Sequence, residues 1–378
     1  MNKTSKIFVC GGTGMVGSAI IRRLIEKGYT NIISNYHKRR PAPEIVPYIN
    51  FYPLDLTRQA DTETFFATHK PEYVFLSAAR VGGILANDTY KAQFIYENIA
   101  IASNIIHASY RFGVKKLLNL GSSCIYPRMA PQPMKEEYLL TGPLEPTNEP
   151  YAVAKIAAIK LCRYYNEQYG TNFVSVMPTN LYGPNDNFNL ETSHVLPALI
   201  RKFHLAKLLG QGDVEAIKED FRKYPIGFGL DGKVDRLEPA SVLKTLAHLG
   251  IGFEHEGSDK VVVTLWGTGE VYREFLSVDD LADACVFLME NVQASDMRKL
   301  CSDYFINIGA GKDLKIKELS FLVKDIVGFK GEIQYDPSKP DGTPRKLLDV
   351  TKLHSVGWRH RIGLEEGIRK TYEWYLSR

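Results

Sequence analysis

Four glycines near the start of the chain stand between an apolar run and a helical pattern. Residues 6–10 predict a short strand, and residues 19–27 predict a helix that ends before Gly28. The glycines at positions 11, 14 and 17 have the spacing G-x-x-G-x-x-G, and another stands at position 12. This context is typical of a dinucleotide fingerprint, because glycines let the backbone approach a pyrophosphate at the helix N-terminus. A Rossmann-type unit is therefore predicted here.

Alternating strand and helix patterns continue along the first part of the chain. Strands are predicted at residues 31–34, 50–56, 73–79 and 116–120, each followed by a helical stretch. This order predicts an α/β fold with a doubly wound parallel sheet. We expect residues 1–184 to form the dinucleotide-binding domain, with residues 275–309 returning to it. Residues 185–274 and 310–378 are expected to form a second, smaller α/β lobe that binds substrate.

Residues 205–260 form a charged segment without a motif. Two helices are predicted in it, at residues 214–223 and 241–248, and Gly250 stops the second. The segment is either an elaboration that covers a surface or extends an oligomer contact, or a lid that touches substrate.

The second predicted strand is followed by bases instead of an acid. A carboxylate at this place accepts from the ribose 2′-hydroxyl of NAD, whereas cations suit the 2′-phosphate of NADP. Asn35-Tyr-His-Lys38-Arg39-Arg40 therefore favours NADP, with a solvated basic loop as the alternative. Asp55, at the end of the third predicted strand, is placed to contact the adenine.

Composition excludes several other classes of function. A net charge of +4 over 378 residues, without a basic block longer than residues 38–40, argues against a nucleic-acid partner. Five scattered cysteines without a C-x-x-C pair argue for reduced thiols in the cytoplasm and against a zinc site. The sequence shows neither a signal peptide nor a stretch near the roughly 18 apolar residues of a membrane span.

Tyr151 and Lys155 stand four residues apart on a predicted helix, downstream of Ser122 and Cys124. This spacing places the ammonium beside the phenol, where it is expected to favour the ionised form. Cys124 is two residues beyond Ser122, so both side chains are expected to point the same way if the strand continues. Without further context, the preferred interpretation of Cys124 is a small buried apolar residue, and that of His194 is a loop histidine with satisfied hydrogen bonds.

Longer motifs give the chain a family resemblance. They lie at residues 78–83, 121–127, 144–151, 177–184, 273–275 and 338–346, and only residues 205–260 fall clearly outside the resemblance. The sequence resembles the extended short-chain dehydrogenase/reductases, and within them the GDP-L-fucose synthase branch, whose members are NADPH-dependent. It departs from the family where arginines can bind the cofactor, since it has His37 beside Lys38 and Arg39, and Thr13 in the glycine loop.

The resemblance implies a C3/C5 epimerase and C4 reductase of a GDP-linked 4-keto-deoxysugar. It assigns Cys124 as the base and His194 as the acid of epimerisation, with His194 also lowering the pKa of the thiol. Tyr151 would protonate the reduced C4 oxygen, Ser122 would hydrogen-bond it, and Lys155 would hold the ribose. A homodimer formed through helices that include the one carrying Tyr151 is also implied.

The expected ligand contacts follow from the glycine fingerprint and the resemblance together. Cofactor contacts are expected from Gly11, Gly12, Thr13, Gly14, Met15, Val16, Gly17, His37, Lys38, Arg39, Arg40, Asp55, Leu56, Leu120, Gly121, Ser123, Pro178, Thr179, Asn180 and Leu181. Substrate contacts are expected from Lys202, Trp266, Arg273 and Asp341.

Three alternatives stay open at this point. The same site can serve another GDP-4-keto sugar, such as a 6-deoxyheptose, as an epimerase/reductase or as a reductase only. A C4 epimerase or 4,6-dehydratase would regenerate its cofactor instead of consuming it. A non-catalytic NADP sensor would be expected to lose the Ser/Tyr/Lys set, which this chain retains.

Overall fold

The computed structural model describes residues 1–41, 46–235, 238–339 and 341–378. Its strands, in chain order, are β1 (Ile7–Cys10), β2 (Ile32–Tyr36), β3 (Asn50–Pro53), β4 (Tyr73–Leu76), β5 (Lys116–Leu120), β6 (Phe173–Pro178), β7 (Asn180–Tyr182), β8 (Ile251–Phe253), β9 (Val261–Trp266), β10 (Tyr272–Ser277), β11 (Phe305–Ile308), β12 (Asp313–Lys315), β13 (Glu332–Asp336) and β14 (Arg345–Lys346).

The α-helices are α1 (Met15–Glu26), α2 (Gln59–His69), α3 (Ile84–Thr89), α4 (Lys91–Arg111), α5 (Glu149–Tyr169), α6 (Val195–Gly210), α7 (Val214–Lys223), α8 (Pro239–His248), α9 (Val278–Asn291), α10 (Ala294–Leu300), α11 (Ile316–Val327), α12 (Thr351–Ser355) and α13 (Leu364–Leu376). Short 3-10 helices lie at Val46–Tyr48, Ser123–Ile125 and Glu136–Tyr138.

A seven-stranded sheet in the order β11-β6-β5-β4-β1-β2-β3 forms the centre of the molecule, and each of its pairings is parallel. Strand β1 shows why helices cover both of its faces. Ile7 and Val9 belong to an apolar cluster that contains residues of α1 and α9, whereas Phe8 and Cys10 belong to a second cluster with residues of α2 and α4. A strand that is apolar on both faces must be covered on both. The predicted Rossmann-type fold is confirmed.

The second lobe has its own core and two small sheets. One sheet has the order β12-β10-β14, with β7 also pairing with β10, and the other has the order β13-β9-β8. Their apolar cluster joins residues of α6, α7, α8, α11 and α13. Strand β10 leads directly into α9, which packs on α1 of the first lobe. The lobes are therefore connected at the edge where ligands are expected.

The charged segment 205–260 contains the two helices that were predicted. Helix α7 has the predicted bounds, and α8 begins two residues earlier than predicted, at Pro239. Strand β8 follows α8 and pairs with β9 in an antiparallel arrangement, so the segment is built into the lobe. Residues 236 and 237 of this segment, and Pro340 of the motif at 338–346, lie outside the described residues.

Several strand ends differ from the prediction. Strand β2 continues to Tyr36 because Asn35, although polar, donates to the Leu54 carbonyl and accepts from the Gly11 amide. Strand β3 ends at Pro53 and β4 at Leu76, both earlier than expected. Strand β5 ends at Leu120, and a 3-10 turn follows. The strand therefore does not continue to Ser122 and Cys124, and the condition under which both side chains were expected to point the same way is not met.

Two kinds of feature are absent from the described ranges. No helix in them is both long and apolar enough to cross a membrane. Nor do these ranges contain a cluster of three His, Cys, Asp or Glu side chains that could hold a metal ion.

Candidate active site

A cavity of about 1720 Å³ lies at the carboxyl ends of the central strands and extends to the second lobe. Its walls include Gly11 after β1, Ser77 after β4 and Gly121 after β5, and also Lys202 and Arg273 from the second lobe. Pockets for a single small ligand usually measure about 300–1,000 Å³. The cavity therefore has room for two ligands side by side.

The glycine loop forms one end of the cavity. Gly11 has a φ of +76°, and a β-carbon there would lie 3.0 Å from the Ala78 Cα atom. Gly14 is the N-cap of α1, and a β-carbon on it would meet only the Gly11 carbonyl oxygen, at 3.4 Å. The N-terminus of α1 thus faces the cavity without a side chain in the way, an arrangement that suits a pyrophosphate.

Gly12 lies on the other side of this loop. Its amide donates to Ser34 Oγ at 3.1 Å, and a β-carbon on it would lie 2.1 Å from the same oxygen. The structure therefore places Gly12 against β2, away from the cavity wall.

The basic residues after β2 lie at the same end as the glycine loop. His37, Lys38 and Arg39 line the cavity, whereas Arg40 lies outside it. Arg39 donates to Asn185 Oδ1 at 3.2 Å, and burial lowers the pKa of its guanidinium. Lys38 and Arg39 therefore supply positive charge to this end of the cavity.

Asp55 also lines this end of the cavity. Its carboxylate accepts from the Thr57 amide at 3.0 Å and from the Thr57 hydroxyl at 2.7 Å. Burial alone would raise the pKa of Asp55, but these bonds and the nearby His37 lower it. The carboxylate is therefore held ionised and in a fixed position.

Ser122, Tyr151 and Lys155 meet in the middle of the cavity. The Tyr151 phenol hydrogen-bonds Ser122, and the Lys155 Nζ atom donates to the Leu120 carbonyl at 2.7 Å. Burial raises the pKa of Tyr151 and lowers that of Lys155 to about 8. The expected ionisation of the phenol by Lys155 is not what the structure shows: the Nζ atom lies 5.7 Å from the centre of the phenol ring, and burial dominates.

Cys124 lies beside these residues, on the 3-10 turn that Ser122 caps by accepting from the Cys124 amide. Its Sγ atom is 3.8 Å from Lys346 Nζ and accepts from Asn148 Nδ2 at 3.4 Å. Lys346 is thus a cation beside the thiol, a role that had been expected of His194.

His194 faces the same cavity from the N-cap position of α6. His194 is exposed toward the cavity. Desolvation by the cavity walls and the charge of Lys346 lower its pKa. Lys346 therefore lies beside Cys124 and acts electrostatically on His194.

The four expected substrate contacts line the part of the cavity in the second lobe. Burial lowers the pKa of Lys202 to about 8, and its Nζ atom is 3.4 Å from the Thr264 carbonyl oxygen. Arg273 donates to the carbonyls of Tyr272 at 2.7 Å and Asp341 at 3.4 Å. The Asp341 carboxylate accepts from the amide and hydroxyl of Thr268, each at 2.8 Å, while Trp266 is 54% exposed.

Comparison with known proteins places the chain in a family. Residues 7–219 and 240–309 match the model of the NAD dependent epimerase/dehydratase family. The chain belongs to that family. It is 48% identical over 376 residues to GDP-L-fucose synthase 1 of Arabidopsis thaliana, covering 100% of this chain and 94% of that protein. The resemblance to extended short-chain dehydrogenase/reductases of the GDP-L-fucose synthase type is confirmed.

Two solved structures are similar over the whole chain. One is a GDP-6-OMe-4-keto-L-xylo-heptose reductase from C. jejuni, with 41% identity, a TM-score of 0.86, and coverage of 100% of this chain and 99% of that one. The other is a GDP-mannoheptose C4 reductase from Campylobacter jejuni with NADP bound, with 41% identity, a TM-score of 0.80 and the same coverage. Family membership therefore leaves open which sugar is the substrate.

All the site residues expected from the sequence line this one cavity, except Gly12 and Arg40. Sequence reasoning missed Lys346 and Asn148, although both stand in motifs that carried the resemblance. It also missed Asn185, which joins Arg39 to Ser18 of α1. Lys223, Tyr224, Phe228 and His248 from segment 205–260 line the cavity as well, so this segment is not a purely external elaboration.

Proposed function

We propose that the protein is an NADPH-dependent 3,5-epimerase and 4-reductase that converts GDP-4-keto-6-deoxy-D-mannose to GDP-L-fucose. One observation carries this proposal: Cys124 and His194 line the same cavity as Ser122, Tyr151 and Lys155. The first pair suits proton transfer at carbon, and the second set suits protonation of a reduced ketone. The relative from Arabidopsis thaliana bears the name of this activity.

The residues around the glycine loop fit NADP. The open space at Gly14 and the N-terminus of α1 would hold the pyrophosphate, and His37, Lys38 and Arg39 would hold the 2′-phosphate. Asp55 would contact the adenine, and Lys155 would contact the ribose. When bound, the cofactor supplies a hydride. The solved relative with NADP bound supports this assignment.

Epimerisation would begin at Cys124. The C4 ketone makes the hydrogens at C3 and C5 acidic, since their removal gives an enolate. The Cys124 thiolate would take one of these protons to become a thiol, and the His194 imidazolium would return a proton to the opposite face to become neutral. The lowered pKa of His194 makes its imidazolium a stronger acid, but a smaller fraction of the protein carries it at neutral pH. Solvent then resets both groups before the second centre is inverted.

Tyr151 would protonate the C4 oxygen during reduction. Its raised pKa keeps the phenol protonated until charge develops on that oxygen. Ser122 would donate a second hydrogen bond to the same oxygen. Removing one such donor typically costs about 3 kcal/mol of transition-state stabilisation.

The second lobe would bind the nucleotide diphosphate. Lys202 and Arg273 supply positive charge to the same part of the cavity, and Asp341 supplies a carboxylate that can accept from the ribose or base. Trp266 offers an exposed ring beside them. Cations and one carboxylate together suit a GDP-linked sugar better than a neutral substrate.

The similarity to two heptose reductases supports a second candidate function. Both are 41% identical to this chain over its full length, so an epimerase/reductase or C4 reductase of a GDP-4-keto-heptose is the alternative. Retention of Cys124 and His194 favours epimerisation, because a reductase needs neither.

We further propose a homodimer that forms through α4 and α5, which pack together on one face of the sheet. Several apolar or aromatic side chains of these helices are exposed, among them Tyr96, Ile99, Tyr110, Val153 and Tyr164. A second copy would cover them. We place the reaction in the cytoplasm, since the Cys124 thiol must stay reduced to act as a base.

The test is to identify the products. The enzyme is incubated with NADPH and either GDP-4-keto-6-deoxy-D-mannose or its heptose counterpart in deuterated water, and the sugars are analysed by mass spectrometry. We expect GDP-L-fucose carrying solvent deuterium at C3 and C5, with one NADPH consumed per sugar. Product without carbon-bound deuterium would show a reductase only, and a product formed without net NADPH consumption would refute the proposal.

A further inference from the structure

The segment between α6 and β9 contacts the loop that carries His194. This loop begins after β7 and ends where His194 caps α6. On the side of the first lobe, the Thr192 carbonyl accepts from the Gly83 amide at 2.8 Å. Asn189 Oδ1 accepts from the amides of Glu191 and Thr192, which gives the loop its turn. The loop is thus fixed on one side by the cofactor-binding lobe.

The other side of the loop is held by residues 224–231, which we call the inserted turn. The Phe228 amide donates to Glu191 Oε2 at 2.5 Å. A β-carbon on Gly227 would lie 2.5 Å from Glu191 Cβ and 2.8 Å from Asn189 Oδ1, so the two turns are in close contact. The Asp231 carboxylate accepts from the amides of Ile226 and Gly227 and fixes the inserted turn itself.

Arg201 connects α7, the loop that carries His194 and the inserted turn through hydrogen bonds. It lies on α6, two turns after His194, and its side chain is fully buried. The guanidinium donates to Asp220 of α7 at 3.0 Å and to the Phe188 carbonyl of the His194 loop at 2.9 Å. It also donates to the carbonyls of Tyr224 and Pro225 in the inserted turn. A buried charge is stable only while its partners stay in place, so these three segments are expected to move as one unit.

The backbone of the inserted turn is also strained at the point of contact. Phe228 has a φ of +55°, a left-handed conformation that costs a non-glycine residue roughly 1 kcal/mol or more. The Phe228 amide donates to Glu191 Oε2, and the Phe228 side chain lines the cavity. Such strain persists where surrounding contacts hold the residue in position.

We infer that the inserted turn is a positioning element for His194, and that Glu191 is the residue through which it acts. This inference rests on the proposed function, since it assigns the turn to the protonation half of epimerisation. Glu191 fixes the loop so that the imidazole reaches the face of the enolate opposite Cys124. The inserted turn therefore belongs to the active site, although no residue of it transfers a proton.

The test separates proton removal from inversion in the variant Glu191→Ala. Wild type and variant are incubated in deuterated water with GDP-4-keto-6-deoxy-D-mannose, and both deuterated substrate and inverted sugar are quantified. Cys124 is untouched, so exchange of C3 and C5 hydrogens should continue. A displaced His194 should protonate the enolate more slowly, because a misplacement of about 1 Å can lower a reaction rate about 100-fold. We expect the ratio of inversion to exchange to fall roughly 10- to 100-fold.

Two further variants complete the experiment. Glu191→Gln retains an oxygen that can accept from the Phe228 amide, so it should restore most of the ratio. Glu219→Ala removes an exposed ion pair with Arg222 on α7, in the same segment 205–260 but away from the loop, and should leave the ratio unchanged. An equal loss of exchange and inversion in Glu191→Ala, or a ratio equal to wild type, would overturn the inference. If wild type itself shows no exchange, the proposed function fails instead.

Discussion

Gly12 and Gly14 differ in what surrounds them, and substituting each by alanine tests this difference. A β-carbon on Gly12 would lie 2.1 Å from Ser34 Oγ and 2.6 Å from Ile21 Cδ1, both in the packed layer between β1, β2 and α1. It would also disturb two hydrogen bonds, from the Gly12 amide to Ser34 Oγ and from that hydroxyl to the Val9 carbonyl. A β-carbon on Gly14 would meet one atom, at 3.4 Å, on the cavity side.

The expected magnitudes follow from these contacts. Forcing a methyl group into a packed core costs about 1–3 kcal/mol, and a lost buried hydrogen bond costs about 1 kcal/mol more. Gly12→Ala should therefore lower the free energy of unfolding by about 3 kcal/mol, which corresponds to a fall in Tm of roughly 4 °C for a chain of 378 residues. Gly14→Ala should leave Tm nearly unchanged but weaken NADPH binding, because its methyl group occupies the pyrophosphate position.

The assay is thermal unfolding of both variants without cofactor, combined with NADPH titration by fluorescence. Wild-type protein sets the reference for each measurement. If Gly12→Ala unfolds at the wild-type temperature and loses only NADPH affinity, Gly12 is a cofactor contact and the packing argument is refuted. An equally unstable Gly14→Ala would refute the second half of the reasoning.

Three other predictions concern charge. Arg39→Ala should reduce the preference for NADPH over NADH by roughly 10- to 100-fold in kcat/KM, the effect of one charge-assisted contact to the 2′-phosphate, while the rate with NADH stays near wild type. Burial raises the pKa of Glu274 to about 7, so its proton stabilises the fold at low pH and this contribution is lost as pH rises through 7. The free energy of unfolding, measured in urea, should therefore fall by about 3 kcal/mol less between pH 4 and pH 8 in Glu274→Gln than in the wild type. An equal fall in both proteins would contradict this prediction. Lys116 Nζ donates to the carbonyls of Leu288, Met289 and Val292 at the end of α9. Lys116→Met should therefore lower the free energy of unfolding by about 3 kcal/mol, seen as a fall in Tm. The control Lys115→Met removes only an exposed ion pair and should not lower Tm.

The fold could be predicted because its signals are local. The glycine loop, the apolar strands and α7 each reveal themselves within a short window of sequence. The end of β2 does not, because Asn35 is polar and becomes buried only through its bonds to Gly11 and Leu54. The end of β5 is set by the Ser122 cap, which a strand pattern does not report.

The site could be predicted in its parts but not in its electrostatics. The set of Ser122, Tyr151 and Lys155 follows from spacing and motif. Lys346, in contrast, stands 222 residues from Cys124, and only the fold brings its Nζ atom to the thiol. Likewise, Tyr151 contacts the Phe94 ring and Lys155 contacts the Leu120 carbonyl, and both partners stand far from them in the sequence.

The central claim is that this cavity inverts carbon centres before it reduces the ketone. The most direct measurement is incorporation of solvent deuterium at C3 and C5 of GDP-4-keto-6-deoxy-D-mannose by the variants Cys124→Ser and Tyr151→Phe. We predict that Tyr151→Phe retains exchange and loses reduction, while Cys124→Ser loses exchange and still reduces a suitable 4-keto sugar. Wild-type exchange in Cys124→Ser would contradict the account.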